Sequence, residues 1–404
     1  MRIMETIHGM KRQFSWYPLG HDLERSDEES GALTALPLMS AATLETFYYT
    51  ENNPFHQRAD LNRYQTSGTS SKRRKTIFYS KSDEEAYLRI KLDIFRRILD
   101  GHKYRAAMAD MGTGHAEATA VEVFRELGME VETLSFQLPV EQHIERLASF
   151  RPEVLYTMPS ILDRILLASV DPAAYGICHV ILVGEIAAPG WIKRVAERLS
   201  IAEEQITDTY GSIEIGTIAY FSHEHRRYLF ADGLLAEGVS AESLGEDLEP
   251  LTDEQEQVLI LTSTVRDSFP ALRYVTYDVV RDLRPIMVDG VPRQSFQSIV
   301  KRIGPDLKHG EKISIYDIED VVYRHLGNAS VRVNVAGNSL RVYVFSTNAT
   351  TAVLESIRFD VENRIPEIGM MIRARILAGI QVIGGTFEDS LSRASVKNKK
   401  IFYT

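Results

Sequence analysis

The sequence is short of the features that fix a protein's class at a glance. It has one cysteine in 404 residues, Cys178. A lone thiol closes no internal disulfide and builds no cysteine-rich metal site, so the composition points to a reducing cytoplasm. Cys178 heads the apolar run Cys178-His179-Val180-Ile181-Leu182-Val183 and reads as a small buried hydrophobe. No apolar run approaches the roughly 20 residues that cross a bilayer. The N-terminal stretch with Arg2, Glu5, His8 and Lys11 lacks the apolar core of a secretory signal. An excess of positive charge is missing too. The formal net charge is −10, and a general nucleic-acid binder needs a basic face to displace phosphate counterions. Membranes and nucleic acids are therefore not expected as partners. The one local exception is the basic run Lys72-Arg73-Arg74-Lys75.

The remaining composition is that of a globular enzyme-sized chain. Hydrophobic residues make up 44% and charged residues 25%, enough for a core without a structural metal. The length suggests two or three domains. Residues 1–60 are weakly patterned and read as partly helical. Thr76-Ile77-Phe78-Tyr79 reads as a strand. From residue 83 the pattern is α/β: Tyr87, Ile90, Ile94, Phe95 and Ile98 recur at helical spacing. Helices are expected over 116–127, 140–150, from Ser160 as N-cap, and from Pro189; strands over 129–134, 154–156 and 179–183. Strands alternating with helices imply a mainly parallel, helix-covered sheet. After residue 217 short strands dominate, around Ile218, 228–231, 258–262 and 272–275. Residues 300–312 read as a polar linker. Beyond it come a helix over 313–326, strands 330–335 and 340–346 joined by Gly337-Asn338, a helix over 351–364 and a strand over 371–377. The expected architecture is α/β: a large N-terminal domain, 1–302, with a mainly parallel helix-covered sheet and a β-rich subdomain, followed by a small mobile α+β domain, 303–404.

Five stretches carry chemistry. Thr66-Ser67-Gly68-Thr69-Ser70-Ser71 precedes the four cations. Its glycine admits close backbone approach, its hydroxyls donate to phosphate oxygens and the cations offset charge. It is not a Walker loop, since no Gly-Lys-Ser/Thr opens a helix there. In Thr209-Tyr210-Gly211-Ser212-Ile213-Glu214, an aromatic beside a glycine suits a purine. The carboxylate four residues on suits Mg²⁺, which takes one or two carboxylates plus phosphate oxygens. In Arg273-Tyr274-Val275-Thr276-Tyr277-Asp278, a strand-end carboxylate suits two ribose hydroxyls. Lys301 to Gly310 is a hinge candidate. The tail Lys397-Asn398-Lys399-Lys400-Ile401-Phe402-Tyr403 is basic. Singly, each has a bland alternative: a Ser/Thr-rich loop, a surface glutamate, a turn aspartate, a static linker, a solvated tail.

In this order, the stretches resemble the acyl-adenylate-forming superfamily over roughly residues 60 to 404, and most of all its phenylacetate–CoA ligase branch. Thr66 to Ser70 match the family's Thr-Ser-Gly-Thr-Thr, after which Ser71 replaces glycine and Arg73 replaces proline, leaving Lys72, Arg74 or Lys75 to supply the charge. Gly112-Thr113-Gly114-His115 resembles the branch's stretch before a strand, and Tyr156 to Ser160 its Thr-Pro-Ser-Tyr. Val183-Gly184-Glu185 resembles Gly-Gly-Glu, whose backbone lies along the adenine. Tyr210 to Glu214 resembles Tyr-Gly-Ser/Thr-Thr-Glu, and Tyr274 to Asp278 resembles Tyr-x-Thr-Gly-Asp with Tyr277 in place of glycine. Arg302 to Glu319 resembles the hinge, with Gly304, Pro305 or Asp306 as pivot. The tail places Lys400 at the adenylation lysine, with Lys399 a rival.

The resemblance implies an AMP-forming acid–thiol ligase. ATP and Mg²⁺ would activate a carboxylic acid to an acyl-adenylate with release of pyrophosphate. The acyl group would then pass to coenzyme A or to the phosphopantetheine of an acyl or aryl carrier protein. Lys400, Glu214 and Thr66 would be catalytic, with Glu214 holding Mg²⁺. Ser67, Gly68, Thr69, Ser70, Lys72, Gly184, Glu185, Thr209, Tyr210, Gly211, Ser212, Asp278 and Arg302 would bind nucleotide. Tyr156, Met158, Ile186, Tyr210, Ile215 and Gly216 would line an acid pocket whose apolar and aromatic character suits an aryl acid. A homodimer is compatible with this reading. The altered loop and tail leave two alternatives, a nucleotide-binding homologue that no longer adenylates and an acyl-protein synthetase.

Overall fold

A computed structural model of the chain describes residues 2–17, 33, 36–65, 75–111, 115–245, 248, 250, 251, 253–303, 315–327, 329–336, 339–373, 377–385 and 401–403. In chain order its elements are α1 (Arg2–Gln13), α2 (Ala41–Phe47), β1 (Asn62–Gln65), β2 (Thr76–Tyr79), α3 (Lys81–Ile98), β3 (Ala106–Asp110), α4 (His115–Glu126), β4 (Glu130–Leu134), α5 (Val140–Phe150), β5 (Val154–Thr157), α6 (Pro159–Ala168), β6 (His179–Val183) and α7 (Pro189–Leu199). Then follow β7 (Ile206–Ser212), β8 (Gly216–Ser222), β9 (Arg227–Phe230), β10 (Leu234–Val239), β11 (Glu256–Ser263), β12 (Tyr274–Arg281), β13 (Arg284–Val288), β14 (Val291–Phe296) and β15 (Ser298–Arg302). The last are α8 (Ile315–His325), β16 (Ser330–Ala336), β17 (Ser339–Phe345), α9 (Thr351–Arg364), α10 (Pro366–Arg373), β18 (Gly379–Gly385) and β19 (Ile401–Tyr403). The α/β architecture expected from the sequence is present. The chain forms two compact units, one of residues 1–102, 114–127 and 209–306, the other of 103–113, 128–208 and 307–404.

In the first unit, β8 pairs antiparallel with β7 and β9, and β9 with β14, which makes a hairpin with β13. A second sheet runs β10-β11-β12-β15, and β1 pairs with β2. Helix α3 starts where Ser80 and Asp83 satisfy each other's backbone: Asp83 N–H donates to the Ser80 hydroxyl at 3.2 Å, and Ser80 N–H to the Asp83 carboxylate at 2.9 Å. Its inner face carries Ile90, Ile94 and Phe95, as the helical spacing predicts, and also Lys91, 1% exposed. The Lys91 ammonium donates to Ala116 O at 2.8 Å and to the Thr119 hydroxyl at 3.0 Å. It thereby ties α3 to the first turns of α4.

Burial pulls Lys91 down from its ordinary 10.5 to about 7. Between those two values the unfolded chain holds a proton that the folded chain lacks. The penalty Lys91 places on stability therefore shrinks as pH rises through that window. Urea denaturation of Lys91→Met is expected to show a flatter gain in stability between pH 7 and 10 than the unaltered protein shows.

The second unit holds the parallel strands, ordered β4-β3-β5-β6. Met108, Leu155, Val180 and Leu182 from these strands pack against Leu147, Leu162, Trp191 and Val195 from α5, α6 and α7. Pro159 and Pro189 each sit in the first turn of their helix, where a missing N–H costs nothing. Ser160 is not the N-cap of α6. Met158 holds that position without a side-chain bond, and the cap comes from Glu185, whose carboxylate accepts from Ser160 N at 2.8 Å and Ser160 Oγ at 2.9 Å. A sheet ordered β18-β17-β16-β19 completes this unit, its core built from Ile318, Val322, Val333, Val342, Ile357 and Val361. Residues 371–373 end helix α10, whose Ile368 and Met371 are buried at helical spacing, so the strand expected over 371–377 lies instead at Gly379–Gly385, parallel to β17. Lys301 and Arg302, read as linker, are the end of β15. Cys178 is half-buried, just outside β6.

Candidate active site

Strand β12 carries the first cluster. Its pairing with β11 is regular at Val258–Val279, then shifts, so that Thr276, Tyr277 and Asp278 bulge opposite Leu259. The Thr276 hydroxyl fixes the bulge, donating to Leu259 O at 2.8 Å and accepting from Asp278 N at 3.1 Å. Tyr277 adopts φ +61°, the left-handed region that glycine enters freely and tyrosine does not. The ring is buried against Val258, Ile260 and Val275, and its hydroxyl accepts from Ala41 N at 3.0 Å. Burial of a ring and one hydrogen bond thus offset a strained backbone. The bulge projects Asp278, whose carboxylate accepts from the Tyr210 hydroxyl at 2.5 Å and lies 3.5 Å from Arg302 on β15. Burial and the neighbouring Asp278 charge both raise the Tyr210 phenol, and Asp278 raises the Arg302 guanidinium.

The turn between β7 and β8 is the second cluster, in the same unit. The glycines close it by backbone contact. A Cβ on Gly211 would meet Gly216 O at 2.8 Å, and one on Gly216, at φ +100°, would meet the Tyr87 ring at 2.7 Å. The Ser212 hydroxyl accepts from Ile215 N at 3.3 Å. Two outside groups hold the turn's backbone: Tyr79 donates to Ile213 O at 2.7 Å, and Arg266 Nε to Glu214 O at 3.0 Å. Arg266 is itself buried, 2.5 Å from Asp83, with Phe78 O as a further acceptor at 2.9 Å and the Tyr79 ring 3.7 Å below it. The half-buried Glu214 carboxylate has no hydrogen bond or ion pair among the described residues. A carboxylate with no hydrogen-bond partner of its own could hold Mg²⁺, a hard cation that takes one or two carboxylates and fills the rest of its shell with other oxygens.

In the second unit, Tyr156 and Met158 lie at the carboxyl end of β5, and Gly184, Glu185 and Ile186 at that of β6, the end where open α/β sheets bind ligands. Gly184 takes φ +80°. The Glu185 carboxylate is engaged by Ser160, which leaves its backbone for any nucleotide contact. One turn beyond Ser160 on α6 stands Arg164, which burial lowers and the nearby Asp110 and Glu185 charges raise. Asp110, at the end of β3, holds His143 Nδ1 at 2.8 Å, both side chains being almost wholly buried.

The structure thus brings Tyr210, Asp278 and Arg302 into direct contact, with Thr209, Gly211, Ser212, Glu214, Ile215 and Gly216 on the adjoining strand and turn. Thr66, Ser67, Gly68, Thr69, Ser70, Lys72, the pivot Gly304-Pro305-Asp306 and Lys399 and Lys400 lie outside the described residues. Lys75, a candidate for the loop charge, pairs with Glu45 at 2.7 Å and lies over the Tyr49 ring. Sequence reasoning missed Arg266, the Asp110–His143 pair and the Glu84–His115 pair. Each is a buried charge or imidazole whose partner is distant in sequence, so no local pattern marks it.

Among the described residues, no helix is long and apolar enough to cross a membrane. Residues 308–388 match the C-terminal domain of fumarate–diaminopropanoate ligase. The whole chain is 34% identical over 382 residues to the fumarate–(S)-2,3-diaminopropanoate ligase of Enterobacter agglomerans, covering 95% of this chain and 94% of that one. Among solved structures, 2-hydroxyisobutyryl-CoA ligase in its postadenylation state with 2-HIB-AMP superimposes with a TM-score of 0.74 at 15% identity, over 100% of this chain and 86% of that one. The amide bond synthetase McbA from Marinactinospora thermotolerans gives 0.52 at 13% identity, over 80% and 65%. These two likenesses concern the fold.

Proposed function

The chain belongs to the acyl-adenylate-forming ligases and, within them, to the family of the fumarate–(S)-2,3-diaminopropanoate ligase, and on that premise we propose that it joins a small dicarboxylic acid to the amino group of an amino acid. ATP-dependent activation of an acid is common to the family. The observation that carries the finer reading is the full-length identity to a relative named for fumarate and diaminopropanoate. In the first half-reaction the acid's carboxylate displaces pyrophosphate from ATP to give an acyl-adenylate. In the second, an amine attacks the acyl carbon and AMP leaves.

The side chains support these roles. Asp278 would accept hydrogen bonds from two ribose hydroxyls, and Tyr210 would lie on the adenine. The backbone at Gly184 and Glu185 would run along the base. Thr66, Ser67, Gly68, Thr69, Ser70 and Lys72 would take the phosphates, with Lys400 reaching the acid's carboxylate. An anion must approach a polyanion here, so charge placement decides the rate. Glu214 would hold Mg²⁺, which supplies positive charge at the phosphates when bound. Arg164, close to Glu185, offers a cation for a second carboxylate, which an apolar aryl acid would not need.

ATP–pyrophosphate exchange over a panel of acids, followed by product analysis with diaminopropanoate, coenzyme A or a holo-carrier protein as acceptor, tests the proposal. Exchange with fumarate or another short dicarboxylate and an amide product is the expected result. Exchange confined to aryl acids, with a thioester as product, would replace it with the acid–thiol reading, and ATP binding without exchange would favour a homologue that no longer adenylates.

A further inference from the structure

One buried group beside the β7–β8 turn has no part in the nucleotide chemistry above. His115, the first residue of α4, stacks on two tyrosine rings, Tyr64 at 4.3 Å and 27° and Tyr87 at 4.5 Å and 29°, with Tyr79 edge-on at 4.6 Å. Its Nε2 meets the Glu84 carboxylate at 2.5 Å. Glu84 also accepts from the Tyr64 hydroxyl at 2.8 Å and from Asn62 at 3.0 Å. Burial works to raise Glu84, and these hydrogen bonds outweigh it and leave it below its ordinary value. The carboxylate is therefore ionised at neutral pH. It holds the imidazole with Nε2–H toward itself, which leaves Nδ1 as the proton acceptor. Two tyrosine faces and an ionised carboxylate border the ring that would receive the proton.

The same tyrosines form the wall of the turn. Tyr79 donates to Ile213 O, and the Tyr87 ring lies against Gly216. An amine nucleophile is a protonated ammonium at neutral pH and must lose a proton to attack, a need that a thiol feels far less. From this geometry we propose that the Glu84–His115 pair is the proton acceptor for the attacking amine. The inference rests on the amide-forming reading above. The ammonium first gives one proton to His115 Nδ1; the freed amine nitrogen then forms a bond to the acyl carbon, the bond from that carbon to the AMP phosphate oxygen breaks with its electron pair leaving on AMP, and the nitrogen's second surplus proton is released to water. The charged or titratable groups that face the imidazole are Glu84 and Tyr87 on α3, Tyr64 on β1 and Tyr79 on β2. Lys91 lies beyond Tyr87, and Arg266 and Glu214 beyond Tyr79.

The test uses the full chain, ATP and the activating acid, with two acceptors: a primary alkylamine, and hydroxylamine, which is already neutral at pH 7. In His115→Gln, the ratio of alkylamine capture to pyrophosphate exchange is expected to fall by about 100-fold at pH 7. Hydroxylamine capture should fall far less, and raising the pH should restore much of the alkylamine rate. Glu84→Gln, which keeps the shape of the pair, should show the same pattern at about 10-fold, and carries the test if the first variant does not fold. Equal losses with both amines, or a loss that pH does not relieve, would reduce His115 to a packing residue. Absence of exchange in the unaltered protein is read before any variant; it would fail the adenylation reading itself and take this inference with it.

Discussion

Asp278→Ala is expected to lower ATP–pyrophosphate exchange by about 100-fold or more, equivalent to about 2.7 kcal/mol of transition-state stabilisation. Both oxygens of this carboxylate are already engaged, one by Tyr210 and one by Arg302. Removal therefore does more than delete the proposed ribose acceptor. It leaves the Tyr210 hydroxyl without its acceptor, frees a ring that would otherwise be held at one angle, and leaves Arg302 without its counter-charge. Asp278→Asn should do less harm, because the amide oxygen can still accept from Tyr210 while the charge facing Arg302 is lost. Exchange rates at saturating ATP and at low ATP separate the effects. Loss confined to low ATP means binding alone, and loss at both means that the placement of the nucleotide for reaction has gone. An Asp278→Ala protein with normal exchange would remove Asp278 from the site.

The second large effect falls on stability. Arg266→Met is expected to cost about 3–5 kcal/mol, because it strands the Asp83 carboxylate in a site where its side chain is 0% exposed. Arg266 also holds Phe78 O and Glu214 O, so the β7–β8 turn loosens with it. The double variant Asp83→Asn, Arg266→Met should recover part of the loss, since the stranded charge is gone. Denaturation midpoints of the three proteins check this. A double variant no better than Arg266→Met alone would show that the backbone contacts of Arg266, not its charge pairing, account for the cost.

The motif order was legible from sequence because each piece is contiguous: a glycine with its hydroxyls, an aromatic beside a glycine, an aspartate at a strand end. The alternation of strands and helices between residues 83 and 199 was legible for the same reason, since periodicity is local. What escaped is long-range. Nothing around Asp83 announces Arg266, and nothing around Glu84 announces His115, although Arg266 holds the β7–β8 turn and His115 packs on Tyr79, which holds it too. The strand placed over 371–377 failed because Ile368, Met371 and Leu377 are apolar enough for either period, and only packing chooses. Ser160 looked like a cap because it follows a proline, yet the capping oxygen comes from Glu185, which no local rule could nominate. The acceptor was not legible at all: the same motifs serve thiols and amines, and the amide reading draws on full-length kinship.

Tyr277 has an implication for how this site could have arisen. Glycine, the superfamily's motif residue there, has the backbone freedom; tyrosine has the ring and the Ala41 bond. No single nucleotide change links their codons, and the steps between them pass through aspartate or cysteine, which put a side chain on the strained backbone without the ring that offsets it. Once tyrosine is installed, reversion opens a void in the core. The position behaves as a ratchet, and lineages that crossed it are expected to stay across.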